Sequence, residues 1–411
     1  MKNFWVDPNN NINISYENFF NELRSIDQVN KIICNRDPYR GFLEILASLY
    51  CNEVITILDY NLSVTERSKL SINKEDFDKK IKIQPLHIGS LNDFIEKMSK
   101  NSEWRLKLYT SGTTGIPKSI IHDFNSLTRN VKVNPRYKDN IWALLYNPTH
   151  IAGIQVFFQA FLNQNTIINL YNYELQNIEK ALISHKVTHI SATPTFYKAI
   201  LPHLAKTNPN IVQITSGGER YCFDIQNSLS VYFPNANFKN IYASTEACAI
   251  LSSNGEIFNI DEALTNGIKI SENKEILIKK YLVGDSEKLK IIDDWYYTGD
   301  FVEMVDQKRF KIISRESDTV NVGGYRVDII EIEDSIKNIE GVKDVQIIPR
   351  KNSLTGNILE ARIIKDTFLD EKQFKQMIFD RLFKLHQPWK VPRIISFVNN
   401  FEISRTLKKK K

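Results

Sequence analysis

The sequence predicts an α/β protein with a large amino-terminal domain of mostly parallel sheets and flanking helices, followed by a small α+β carboxyl-terminal domain. Three observations predict it. Between about residues 14 and 300, amphipathic helical segments alternate with short runs rich in Ile and Val, the pattern of right-handed crossovers in a largely parallel sheet covered on both faces. Beyond Asp300 the texture changes, and a polar break, "RESD" (Arg315 to Asp318), sets the remainder apart. The length of 411 residues is also more than one hydrophobic core usually serves.

The helices expected in the first part are "ENFFNELRSI" (17–26), "YRGFLEILASLY" (39–50), "LQNIEKALISHK" (175–186) and "FDIQNSLSVYF" (223–233). Each has apolar residues at helical spacing. The strands between them are "KIIC" (31–34), "EVITIL" (53–58), "TIINLY" (166–171), "VTHIS" (187–191), "IVQITS" (211–216) and "FKNIY" (238–242), bounded by Asn, Gly or Pro. The second part begins with strand-like "FVEMVD" (301–306) and "RFKIIS" (309–314). After the break come a Gly-Gly turn, the helix "DIIEIEDSIKNI" (328–339), two strand-like runs and a second helix, "EKQFKQMIFDRLFKL" (371–385). The expected domains are 1–316 and 317–411. Ligands of such sheets sit at the carboxyl ends of the strands.

Composition narrows the function. With 42% hydrophobic and 25% charged residues the chain reads as an ordinary soluble globular protein. Four of its six net positive charges come from Lys408 to Lys411, which leaves no basic face for a nucleic acid. Cys34, Cys51, Cys222 and Cys248 form no CxxC pair, so neither a zinc site nor a disulfide framework is expected. The amino end lacks the apolar stretch of a secretory signal, and the richest apolar run, "IAGIQVFFQAFL" (Ile151 to Leu162), is too short to span a bilayer. A cytoplasmic protein without a membrane span is the expectation.

The most informative stretch is "LYTSGTTGIPKS" (Leu108 to Ser119), which follows the alternating run "WRLKLY". Gly112 and Gly115 permit a tight turn and close approach to a ligand. Thr110, Ser111, Thr113 and Thr114 crowd hydroxyl donors onto it, and Lys118 adds a positive charge. This is the chemistry of a polyphosphate cradle. It is not a Walker A loop, which needs four residues between its glycines and Gly-Lys-Ser/Thr in succession.

That stretch resembles, nearly letter for letter, the "YTSGTTGxPK" signature of the adenylate-forming superfamily, which includes acyl-CoA synthetases, luciferases and peptide-synthetase adenylation domains. Further motifs follow in the family's order: "ISYENFFNEL" (14–23), "NPTHIAG" (147–153), "TSGGERY" (215–221), "IYASTEA" (241–247), "WYYTGD" (295–300) and "SRESDTVNVGGYRVDIIEIE" (314–333). The resemblance covers nearly the whole chain. It implies that His150, Gly217 and Ala243 border the acid pocket, and that Gly217, Gly218 and Glu219 form the turn walling the adenine. Tyr242 would stack on adenine, Thr245 would reach the α-phosphate and Glu246 would help hold Mg²⁺. Asp300 and Arg315 would contact the ribose, and Arg326 matches the family's arginine after the Gly-Gly turn. Ala243 stands where the family usually has Gly. Ser317 falls at the hinge of a mobile carboxyl-terminal domain, where Asp or Lys is usual.

The tail, "EISRTLKKKK" (Glu402 to Lys411), resembles the family's last motif, with its adenylation lysine falling on Lys408. The implied reaction uses ATP and Mg²⁺ to activate a carboxylic acid as acyl-AMP, then transfers the acyl group to a thiol, CoA or the phosphopantetheine of a carrier protein. An acid without an α-amino group, small aromatic or short aliphatic, is expected, since "NPTHIAG" has no Asp to pair an ammonium. A catalytically inactive binding module of the same superfamily and a P-loop NTPase are the alternative readings.

Overall fold

The computed structural model describes residues 2–402 apart from 63, 71, 73, 84–85, 102, 111–117, 288, 316–317, 323–324 and 353–355. All six expected strands and all four expected helices of the first part are present. One eight-stranded sheet organises that part. Its order is Cys248–Ser253, Asn237–Ser244, Gln213–Gly217, His189–Ala192, Ile141–Leu144, Thr166–Asn169, Asn3–Asp7 and Ile12–Ser15. The six central strands run parallel, and only the two edges are antiparallel.

Strand order sets the position of the cleft. From Ile141–Leu144 the chain crosses to a neighbour on one side, Thr166–Asn169, and then returns to the other side as His189–Ala192. The loops leaving these strands diverge there, opening a crevice at their carboxyl ends. Alternation along each strand covers both faces of the sheet. Trp5 points into a core with Phe42, Phe157 and Phe161, whereas its neighbour Val6 packs with Ile168, Ile190 and Tyr197 on the other side. Phe42 and Phe157 stack with centroids 3.9 Å apart and planes within 4°. Asp37, Pro38 and an apolar stripe account for the Pro38–Tyr50 helix beneath them: the Asp37 side chain accepts from Tyr39 N–H and proline occupies the first turn.

A second sheet holds the two strands between which the expected phosphate loop falls in sequence. Strands Leu106–Thr110 and Lys118–His122 pair antiparallel, with Thr110 opposite Lys118, and both extend a small parallel sheet from Ile32–Ile33 and Ile55–Ile57.

The region from Ile257 to Arg315 departs from the expected alternation. It is an antiparallel sheet in the order Ile257–Asn259, Arg309–Arg315, Trp295–Met304, Glu275–Lys279, Ile268–Ile270. The "YYTGD" motif lies inside its ten-residue strand Trp295–Met304. Gly299 interrupts that strand at φ 72°, a conformation open to glycine, and its N–H donates to Glu275 Oε1 at 2.8 Å.

The last part has a core of its own, from Val322 to Ile395, including Val327, Ile332, Phe374, Ile378 and Leu382. A hairpin (Thr319–Val322 with Tyr325–Asp328) precedes a three-stranded sheet flanked by the helices Ile329–Lys337 and Glu371–Leu385. Two ion pairs tie it to the first part of the chain, Arg220 to Asp334 at 2.6 Å and Lys198 of the Pro194–Ile200 helix to Asp344 at 2.8 Å. No helix among the described residues is long and apolar enough to cross a membrane.

Candidate active site

Three parallel strands of the large sheet end in segments singled out from the sequence. Ile141–Leu144 leads to Asn147 and His150, Gln213–Gly217 to Gly218 and Glu219, and Asn237–Ser244 to Thr245 and Glu246. These residues, with Lys118 and Ala243, line one cleft of about 2340 Å³. Its far wall comes from the last part of the chain, where Ile330, Glu333, Asp334 and Lys337 present one face of their helix.

Backbone geometry accounts for the glycines. At Gly217 an added Cβ would lie 3.2 Å from the Ile241 carbonyl oxygen and 4.0 Å from Tyr146 Oη, and Gly218 has φ 79°. At Gly153 a Cβ would stand 2.3 Å from the Asn147 carbonyl oxygen, so the helix can pack on the "NPTH" turn only without a side chain there. Asn147 holds the same turn from inside. Its Oδ1 accepts from the Thr149 N–H and hydroxyl at 2.9 and 2.8 Å, and its Nδ2 donates to Asp59 at 2.7 Å. His150 follows as the residue that opens the Ile151–Leu162 helix. Asp59 also accepts from the Asn61 N–H at 2.8 Å.

Glu219 carries a local structural duty. Its carboxylate accepts from the Thr195 N–H at 2.9 Å and hydroxyl at 3.0 Å, tying the glycine turn to the start of the Pro194–Ile200 helix. Ile241, Ala243, Thr298 and Gly299 line the cleft, whereas Tyr242 and Asp300 beside them in the chain do not. The Tyr242 hydroxyl donates to Asp300 Oδ2 at 2.7 Å, and Asp300 is 7% exposed. Arg315 is the antiparallel partner of Asp300 in the neighbouring strand. The Asn237–Ser244 strand is irregular between Tyr242 and Ala243, a bulge of the kind that re-aims side chains beside sites.

Two residues that sequence reasoning missed brace the Thr245–Ala247 turn. His122, 1% exposed, places Nε2 2.7 Å from the Thr245 carbonyl oxygen. A carbonyl only accepts, so Nε2 carries the proton and Nδ1 is left as acceptor, facing Ser126 Oγ at 3.4 Å and Cys248 Sγ at 3.8 Å. Burial holds the imidazole below its ordinary pKa, and burial pushes the Cys248 thiol up to about 12; both groups are neutral. Arg129 donates to the Ala247 carbonyl at 2.7 Å and to that of Leu282 at 3.2 Å, and the Gly284 N–H donates to the Glu246 carbonyl at 2.8 Å. His122 ends the strand that Lys118 begins, so one strand ties the lysine to the Glu246 turn. The available signal was a histidine closing the alternation "KSIIH".

Ser111, Gly112, Thr113, Thr114, Gly115, Ser317 and Lys408 lie outside the described residues, as do the side chains of Thr110, Arg315 and Arg326. Among the described residues no group of three or more His, Cys, Asp or Glu is placed to hold a metal. A single carboxylate such as Glu246 fits Mg²⁺, which keeps most of its water and substrate-phosphate ligands.

The sequence profile of the AMP-binding enzyme family matches residues 43–280, more than half of the chain. The chain belongs to the AMP-binding enzyme family. Among relatives of this AMP-binding enzyme, the 2-succinylbenzoate–CoA ligase of Listeria monocytogenes serotype 4b is 23% identical over 314 residues, covering 71% of this chain and 65% of that protein. The 4-coumarate–CoA ligase-like 9 of Arabidopsis thaliana is 22% identical over 352 residues, covering 76% and 61%. The match thus spans slightly less than two thirds of these relatives. Two solved structures share the fold over nearly their full lengths. ATP-bound MatB from Rhodopseudomonas palustris superposes with a TM-score of 0.74 at 18% identity, covering 98% of this chain and 93% of that one. The o-succinylbenzoate CoA synthetase of Bacillus subtilis with ATP and magnesium ion gives 0.71 at 16%, covering 99% and 95%.

Proposed function

We propose that this AMP-binding enzyme is an ATP-dependent acid:thiol ligase. The observation that carries the reading is the convergence of Lys118, the Gly217–Gly218 turn, Thr245, Glu246 and His150 on one cleft at the carboxyl ends of the parallel strands. A cation, a side-chain-free wall and a braced hydroxyl and carboxylate supply what a nucleotide and an acid require. The relatives named as CoA ligases support CoA as the acceptor.

In the first step an oxygen of the acid's carboxylate attacks the α-phosphorus of ATP, the bond to the bridging oxygen breaks, and pyrophosphate leaves. Two anions must meet, so positioning and charge neutralisation carry the step. Lys118, first residue of its strand and part of the cleft lining, supplies one cation, and Lys408 is the second. Glu246 would hold Mg²⁺, which when bound neutralises phosphate charge. In the second step the thiol sulfur attacks the acyl carbon, the bond to AMP breaks, and the thiol proton is released. We assign residues 1–316 to the nucleotide and acid, and 317–411 to a lid that turns about Ser317 between steps.

The acid lacks an α-amino group. No acidic residue stands between Asn147 and Gly153, and the neighbouring Asp59 already accepts from Asn147 and Asn61. The test is ATP–pyrophosphate exchange over a panel of acids. Exchange that requires an acid supports the ligase; ATP hydrolysis to ADP without exchange would replace it with an NTPase, and nucleotide binding without either with an inactive module.

A further inference from the structure

The Ile151–Leu162 helix is buried on nearly every side. Only Ala152, Gln155 and Gln159 are partly exposed, at positions i, i+3 and i+7 of one stripe, and that stripe faces the cleft. An apolar helix therefore presents two carboxamides to an otherwise enclosed wall. Among the described residues neither carboxamide has a hydrogen-bond partner within the protein, so both are left to bind what enters the cleft. The residues between Leu127 and Val156 that line the cleft include no Asp, Glu, Lys or Arg, whereas Lys69, Lys198, Arg220 and Lys290 line it from other segments. The carboxylate-activating groups, Lys118 and the Thr245–Glu246 turn, belong to other elements of the same cleft.

Resting on the acid:thiol ligase reading, we infer that Gln155 and Gln159 read a neutral hydrogen-bonding group at the end of the acid remote from its carboxylate. The substrate is then a hydroxy-, keto- or amido-substituted acid, neither a plain hydrocarbon acid nor a dicarboxylate. A carboxamide both donates and accepts, so it matches a hydroxyl or amide. A plain hydrocarbon tail would strip water from both amides and return nothing. A second carboxylate would meet no charged side chain on this helix to offset its lost hydration.

The test is ATP–pyrophosphate exchange by the full-length protein with matched acids: benzoate, 4-hydroxybenzoate and terephthalate, and hexanoate, 6-hydroxyhexanoate and adipate. The expected result is a preference for the hydroxy acid within at least one series of about tenfold or more in kcat/KM, one hydrogen bond's worth. Gln155→Leu and Gln159→Leu, which keep approximate side-chain size, should erase that preference and raise exchange with the plain acid. A wild-type preference for the plain acid or the dicarboxylate, or a hydroxy-acid preference that both variants retain, would overturn the inference while leaving the ligase reading intact. Absence of acid-dependent exchange across the whole panel would remove both.

Discussion

His122 Nε2 lies 2.7 Å from the carbonyl oxygen of Thr245, joining the strand that starts at Lys118 to the turn that carries Glu246. Removing the ring leaves a buried carbonyl without its donor, at a cost of about 1–3 kcal/mol. His122→Ala should lower stability by that amount and raise KM for ATP by several-fold or more, with a smaller effect on kcat. Chemical denaturation and ATP titrations check it, and an unchanged KM would show the bond to be only structural.

Gly153 is fixed by contact. Its missing Cβ would stand 2.3 Å from the Asn147 carbonyl oxygen and 3.0 Å from Pro148 Cα, and backbone atoms cannot step aside as a flexible side chain can. Gly153→Ala should cost about 1–3 kcal/mol and displace His150, reducing acid-dependent exchange more than nucleotide binding. Nucleotide titration alongside exchange separates the two effects.

Stability should fall on the acid side. Burial lowers the pKa of His189 from 6.5 to about 4, where it sits against Trp142 with centroids 4.6 Å apart. The unfolded chain therefore binds a proton near pH 6.5 that the folded chain refuses until about pH 4. Stability is fully present above pH 6.5 and declines as pH falls through that window, by up to about 3 kcal/mol. His189→Gln should flatten the acid limb of a melting-temperature profile between pH 7 and 4.5; an unaltered slope would assign the loss to other groups.

The ion pairs Arg220–Asp334 and Lys198–Asp344 span the two parts of the chain. Both are partly solvated, so each contributes at most about 1 kcal/mol and is screened by salt. Asp334→Asn combined with Asp344→Asn should leave thermal stability within about 1–2 kcal/mol of the parent and slow the adenylation half-reaction. The parent should show the same slowing as ionic strength rises.

Much of the fold was legible because its information is local. Six short apolar runs became strands and four amphipathic segments became helices, each from its own periodicity. Of the antiparallel sheet of residues 257–315, the runs 301–306 and 309–314 were legible as strands, but its assembly was not, because partners such as Glu275 and Phe301, or Phe258 and Phe310, are distant in sequence. The place of "YYTGD" within a strand is likewise set by partners outside the motif, with Thr298 donating to the Ile276 carbonyl and Glu275 accepting from the Gly299 N–H. The candidate site was legible where backbone freedom, charge and order made a long motif. His122, Arg129 and the two glutamines escaped it, since each acts through contacts set by the fold and no local pattern marks them. Glu219 and the Tyr242–Asp300 pair show the same limit, for their partners Thr195 and each other belong to distant segments.

Lys408 tests the division of labour between the half-reactions. Loss of one preorganised cation typically costs on the order of 10²–10³ in rate. Lys408→Ala should lose adenylation by that factor and keep thioester formation from supplied acyl-adenylate. Equal loss of both half-reactions, or of neither, would show the assignment to be wrong.

The most direct measurement is the product balance, followed by phosphorus NMR and thiol titration, when the full-length protein turns over ATP with an acid that supports exchange and with CoA. The account predicts AMP, pyrophosphate and thioester in equal amounts, and no turnover without the acid. ADP and phosphate as the nucleotide products, or AMP formed without consumption of the acid, would contradict it.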